Sequence, residues 1–356
     1  MEAIQGLPGW VVFQEFSDFH RGKGGLPGKA LIENAQEIFS PVRIILPGVF
    51  AVESDENQLA GTRPMTRYSV TVGRFTVTDF FDNNRYSHDP RTQFMGWAIM
   101  YNGAWDYPAD TRGYTWGWVH EFHTRRWSLR YAGAAMPKTA NGLRFDRRLF
   151  RDRSDMVEGE LRLHPRNHEG AVRVLGYGNH ADAGTYLDAL KLAAETGTRP
   201  DVTATRRIGT AKYGFGIGVD QELIKDVGVF GRIGWNDGKT ESFAFTAVDR
   251  LVTAGVSLAG TRWRRPHDTV ATALTESGLS AIHAEYLARG GLDFLIGDGA
   301  LRYGREDVWE SYYRTRIFAG LFATIDVQHI TNPAYNRDRG PVWVGALRLH
   351  VEAGKK

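Results

Sequence analysis

The sequence predicts an all-β protein, a transmembrane antiparallel β-barrel with short turns on one side, long loops on the other and one loop folded into the lumen. Three observations predict it. Polar and apolar residues alternate with period two in many segments, aromatic residues gather at the ends of those segments, and the connections switch between short and long. Period two is the strand signature, because successive side chains point to opposite faces.

Taken in order, a clear strand covers residues 68–72. In residues 127–133, Trp127, Leu129 and Tyr131 stand opposite Ser128, Arg130 and Ala132. In 158–164 one face carries Glu158, Glu160, Arg162 and His164, and the other Gly159, Leu161 and Leu163. Tyr213, Phe215, Ile217 and Val219 alternate with glycines between Lys212 and Asp220. Val229, Gly231, Ile233 and Trp235 repeat the idea after a short turn at 224–227, which makes a hairpin. Residues 252–259, 321–328 and 343–352 alternate in the same way. Residues 185–196 and 280–289 have helical spacing and sit in connections, so they read as loop helices. The whole chain, 1–356, reads as one domain.

Alternation alone leaves a soluble sandwich and a barrel open. A sandwich turns its apolar face to a core, whereas a barrel turns it to lipid and lines a wet lumen with the polar face. The aromatics favour the barrel. Tyr114, Trp116 and Trp118, then Trp127 and Tyr131, Tyr213 and Phe215, and Trp343 resemble interfacial girdles. The lumen-type faces are rich in glycine and small polar residues. Short connections at 123–126 and 224–227 contrast with long ones at 179–207, 236–249 and 260–268.

Composition narrows the function. The chain has 44 basic and 41 acidic residues, a net charge of +3, and no basic block of five or more, so no nucleic acid is expected. It has no cysteine, which excludes disulfides and thiolate metal sites. No run of about 18 apolar residues exists, which excludes a transmembrane helix but not a barrel, whose strands need only about 9–11 residues. The mean hydropathy of −0.36 fits either. No export signal is visible at the start, so a mature or abridged form is expected. Glu158 and Glu160 share a strand face as a glycosidase pair could, but carboxylate pairs are common on wet strands, and no enzyme is expected. His120 with His123, straddling an expected turn, and His164 with His168 make weak metal pairs. No metal and no cofactor are expected.

Residues 73–113 form a polar, aromatic stretch too long for a simple turn, and such a connection is usually functional. It holds Arg74, Asp79, Asp82, Asn83, Asn84, Arg85, Asp89, Arg91, Asn102, Trp105, Asp106, Asp110 and Arg112. Their charges could also simply pair with one another and hold a loop. In a barrel, a segment of this kind can fold inward and narrow the channel.

At these residues the sequence resembles a family. NQLAG at 57–61, TVGRFTVTDFFDNNRYSHDPRTQF at 71–94 and NGAWDYPADTRGYTWG at 102–117 are similar to the carbohydrate-selective porins of the OprB type. So are GWNDGKTESFAFTAVDR at 234–250, FLIGDGALRYG at 294–304 and HITNPAYNRDRGPV at 329–342. The match is loose over 1–56, where an abridged start is expected, and its HVEAGKK end differs from the family's aromatic terminus.

The resemblance implies a bacterial outer-membrane barrel of sixteen strands, or fewer if the start is abridged, passing glucose-type sugars by diffusion. It implies outer-membrane lipid and lipopolysaccharide around the barrel, the barrel-insertion machinery during biogenesis, and a homotrimer. It places a charged constriction near residues 74–112, with Glu160 and Arg162 added from a strand face. Asp, Asn and Arg there can satisfy sugar hydroxyls, and Trp105 can cover an apolar sugar face. A barrel that binds carbohydrate or hydrolyses it without conducting is the alternative.

Overall fold

The structure is a computed structural model. It describes residues 66–148, 151–243 and 247–352, and the backbone of Ile44–Ile45, Val49–Val52 and Gly61–Pro64. The rest of residues 1–56, expected to be abridged, most of the NQLAG segment and the last four residues lie outside the described residues.

Twelve long strands build one sheet. They are β1 Arg67–Phe75, β2 Thr115–His123, β3 Trp127–Ala135, β4 Arg153–Leu163, β5 Gly170–Ala183 and β6 Arg207–Ile224. There follow β7 Val227–Asn236, β8 Arg250–Ala259, β9 Thr269–Gly278, β10 Glu306–Phe318, β11 Leu321–Thr331 and β12 Val342–Val351. Each pairs antiparallel with its neighbours in chain order, a plain meander. Ile44–Ile45 pairs on the far side of β1, and Val49–Val52 pairs with Gly61–Pro64 as a separate hairpin. Pairing of β12 with β1 does not occur among the described residues.

The exposure pattern inverts that of a soluble protein. In β6, Tyr213, Phe215, Ile217 and Val219 are exposed while Lys212 and Asp220 are buried. In β12, Leu347 is 70 % exposed, whereas Arg232 on the other face of the sheet, in β7, is 2 % exposed. Water gives no reason to line a surface with such residues, but hydrocarbon does. Trp127, Leu129, Val157, Leu161, Val174, Ile233, Val252, Leu274 and Ile325 continue the apolar outer face around the sheet.

The polar inner face is covered by the connection at 76–114. Phe75 of β1 and Val77, Phe81 and Trp105 of this connection pack with Val119, Ala132, Ala134, Met156, Leu175 and Tyr177 of β2–β5. Phe94 and Ile99 pack with Phe230, Ala271, Ala273, Val308, Tyr312 and Ile330 of β7 and β9–β11. One segment thus touches strands from opposite ends of the meander, so the sheet curls around it.

The connections sort by end. Residues 76–114, 136–152, 184–206, 237–249, 279–305 and 332–341 lie at one end, and 124–126, 164–169, 225–226, 260–268 and 319–320 at the other. The segment 260–268, expected among the long loops, belongs to the short-turn end. It folds through the 3₁₀ turn Gly260–Trp263 and is fixed by Asp268, which accepts from Thr315 Oγ1 at 3.0 Å and from Arg265 and Tyr313. The strand at 179–183 was expected as loop, yet β5 keeps Asn179 in register with Lys212. His120 and His123 do not straddle a turn. Both lie in β2 on opposite faces, and the turn follows at 124–126.

The two loop helices form as expected, as α2 Tyr186–Thr196 and α3 Ala281–Ala288, after a short α1 at Trp97–Met100. Thr185 and Ser280 cap α2 and α3, accepting from the Asp188 and His283 amides. Between α2 and α3 lies a small core of Tyr186, Ala189, Tyr286 and Leu287.

Candidate functional site

The inner connection is anchored by buried charges that the strands present at period two. Arg232 of β7 donates to Asp82 Oδ1 at 2.9 Å, to the Ile99 carbonyl at 2.7 Å and to the Ser87 carbonyl at 2.6 Å. Glu158 of β4 accepts the Asp82 amide at 2.7 Å. Glu310 of β10 accepts the Met95 and Gly96 amides at 2.6 and 2.9 Å. Arg348 of β12 donates to the Gln93 carbonyl at 3.0 Å and to that of Pro90. Bonds to charged groups are the stronger kind, and losing one partner would strand the other. The backbone approaches closely where the strands carry glycine. A Cβ at Gly216 or at Gly234 would come within 2.0 Å of the Asn102 amide group.

The expected site residues divide into groups. Asp82, Asn84, Asn102, Trp105, Asp106 and Asp110 are buried and hold the connection in place. The Asn102 amide donates to Asp82 at 2.6 Å, Asn84 Nδ2 to the Val219 carbonyl at 3.3 Å, and Asp106 accepts from Phe243 and pairs with Lys212 at 3.1 Å. Trp105 is packed in the core against Phe81 and Tyr107. Asp79 ends the first 3₁₀ turn, and its carbonyl accepts from Asn83 at 3.3 Å. Asp89 closes a turn with Arg91 at 2.8 Å. Burial alone would raise its carboxyl, but Arg91 and Thr92 hold it below the usual range.

Arg74 has the phase of the exposed Val72 on β1, and with Arg112 it pairs with Asp110 at 2.6 and 3.0 Å. That phase places Arg74 on the outer side of the sheet, at the long-connection end.

Asn83, Asn84, Arg85, Glu160 and Arg162 are brought together. They line an open cavity of about 340 Å³ near the short-turn end, with His164, Glu169, Arg173 and Asp220. Three arginines face three carboxylates. Arg173 pairs with Glu160 at 3.1 Å and with Asp220, Arg162 with Glu160 at 2.9 Å, and Arg85 of the connection with Glu169. Arg85 and Glu169 are solvent-exposed, so this pair is weak and exchangeable. The arrangement offers fixed donors and acceptors in water and no large net charge. It suits a neutral, hydroxyl-rich solute held loosely.

A family model of carbohydrate-selective porins, the OprB family, matches residues 57–352. The chain belongs to the OprB family. With that comes its class, outer-membrane β-barrel porins selective for carbohydrates. Among solved structures, the high-pH structure of Pseudomonas putida OprB is similar at 16 % identity with a TM-score of 0.63, over 80 % of this chain and 69 % of that one. The low-pH structure of the same protein matches at 12 % identity with a TM-score of 0.43, over 82 % and 68 %. No curated protein sequence matches this chain.

In this OprB-family chain, the residues that sequence reasoning missed are the partners on the strands. Arg130, Glu158, Arg173, Asp220, Arg232, Glu310 and Arg348 were each visible as polar positions on alternating segments. Phase ties only Glu158 to Glu160, on one strand; that the others share the inner face is set by the pairing of strands.

Proposed function

We propose that this chain passes small carbohydrates, glucose-type monosaccharides among them, by passive diffusion through a closed barrel, and that it is not an enzyme. The described sheet supplies twelve strands, Ile44–Ile45 extends it past β1, and strands before residue 67 would complete closure with sixteen strands at most. The long-connection end would face outward. Outer-membrane lipid and lipopolysaccharide would cover the apolar outer face, a homotrimer would bury part of it, and the insertion machinery would place it.

The observation that carries the reading is the inverted sheet. Its apolar residues are exposed, and its charged face encloses the tethered connection 76–114 beside a wet, charge-balanced cavity. The constriction would be formed by Asn83, Arg85, Glu160, Arg162 and Arg173. One feature favours the non-conducting alternative: towards the other end Trp105, Asp106 and Lys212 are buried and Asp106 pairs with Lys212, so the connection packs directly against the strands there.

Single-channel recording in a planar bilayer with glucose titrated in decides between them. Discrete conductance steps that glucose partly blocks support the porin. Absence of steps from folded, heat-modifiable protein rejects it for a plugged barrel.

A further inference from the structure

The connection 136–152, with Arg153 at the start of β4, is charged unlike any other at its end of the barrel. Residues 136–153 hold six basic side chains against two acidic ones, an excess of four, where the whole chain has an excess of three. The connections 184–206 and 279–305 each balance three against three, and 237–249 is net acidic.

The arginines are presented on an ordered frame. The Asp146 amide donates to the Met136 carbonyl and the Lys138 amide to that of Arg144, both at 2.9 Å, and Pro137 bridges Phe145. Within the frame Arg148 is consumed, pairing with Asp146 at 2.5 Å and Asp152 at 2.9 Å. Arg144, Arg147 and Arg151 are exposed and form no ion pair among the described residues.

Their position is the second observation. Arg153 has the phase of Val157 and Leu161, which are half exposed on the outer face, and its guanidinium lies 6.0 Å from the Trp118 ring. Trp116, two residues nearer the long-connection end, is 52 % exposed on the same face. Arg151 stands two residues before Arg153, and the connection that carries Arg144 and Arg147 leaves the sheet at the same end, beyond an aromatic girdle.

On the reading of this chain as an outer-membrane porin, we propose that Arg144, Arg147 and Arg151 bind the sugar-linked phosphates of the outer-leaflet glycolipid, lipopolysaccharide. A guanidinium fork matches a phosphate in bidentate fashion, and a planar cation tolerates the partly dry interface better than an ammonium. The exposed Leu143 of the same connection adds an apolar contact for the lipid body.

The test uses the full chain folded in detergent micelles, with native mass spectrometry as the readout. Diphosphoryl lipid A is titrated into the wild type and into the R144S/R147S/R151S variant, with phosphatidylglycerol as competitor and heat-modifiable mobility as the folding control. The wild type should retain lipid A. The variant should bind at least tenfold more weakly, and R147S alone about threefold, with a shallower salt dependence. Equal affinity of variant and wild type, or displacement by an equal concentration of phosphatidylglycerol, overturns the proposal. Bilayer conductance of the same preparations keeps the two readings apart. Loss of lipid binding in the variant at unchanged conductance supports this site. Lipid binding without conductance in the wild type supports it too, while counting against the pore.

Discussion

Replacing Arg232 with Met removes the cation that pins the tip of the inner connection. Arg232 is almost fully buried and holds three partners on that connection, the Asp82 carboxylate and the Ile99 and Ser87 carbonyls. The substitution keeps the bulk but leaves Asp82 buried without its ion-pair partner, beside a Glu158 that keeps Arg130 at 2.9 Å. Breaking a buried pair from one side costs about 3–5 kcal/mol, chiefly because the surviving charge stays desolvated. Adding Asp82→Asn removes that stranded charge, so the double variant should recover about 1–3 kcal/mol relative to the sum of the single effects. Two assays apply: the urea midpoint of the folded band on semi-native gels, and single-channel conductance. Arg232→Met should lower the midpoint and raise conductance and open-channel noise, because a freed tip widens the passage. Unchanged conductance and midpoint, or single effects that simply add, would refute the tether.

Three further perturbations follow from the same geometry. Arg85→Ala and Arg162→Ala should each move the reversal potential towards cation selectivity, and Glu160→Gln should move it the other way, because each changes the charge lining the 340 Å³ cavity; reversal potentials that do not move would remove these residues from the pore. Gly216→Ala should displace the connection, since the new methyl would overlap the Asn102 amide, and it should lower the urea midpoint while Gly159→Ala, which faces open space, leaves it in place. His283 of α3 lies between Asp249 at 3.0 Å and Asp293 at 3.1 Å. Burial alone would lower its pKa, but the two carboxylates outweigh burial and hold it at about 9. A pKa raised on folding gives stability that is complete below the unfolded value of about 6.5 and is lost as pH climbs through about 9. Hydrogen exchange of α2 and α3, corrected for intrinsic rates, should therefore accelerate above that pH, and His283→Gln should abolish the dependence.

The sequence by itself determined most of the strands, their faces and the loop helices. Tyr213, Phe215, Ile217 and Val219 could stand on one face only, because period two is a property of the extended backbone and needs no partner. The helical spacing of 185–196 and 280–289 was legible for the same reason, since the period belongs to the local backbone. The segment 73–113 was legible as the special connection from its length and polarity.

Tertiary structure decided what those residues do. Trp105 and Asp106 read as candidates for sugar contact, yet they are buried anchors, since the neighbours that bury them come from β2–β5 and from 237–249, far away in sequence. Arg74 and Arg85 look alike in the sequence, but the pairing of β1 with β2 sends Arg74 to the outer rim while the returning connection carries Arg85 to the inner cavity. The placement of 260–268 at the short-turn end depended on counting every strand before it. Glu158 and Glu160 share a face by period alone, and both meet Arg130, but only the curl of the sheet decides that one holds the Asp82 amide and the other meets Arg162 and Arg173. Alternation fixes a side chain's face at its own residue, whereas the charge opposite it is set by contacts between strands distant in sequence, which form only when the sheet curls around its connection.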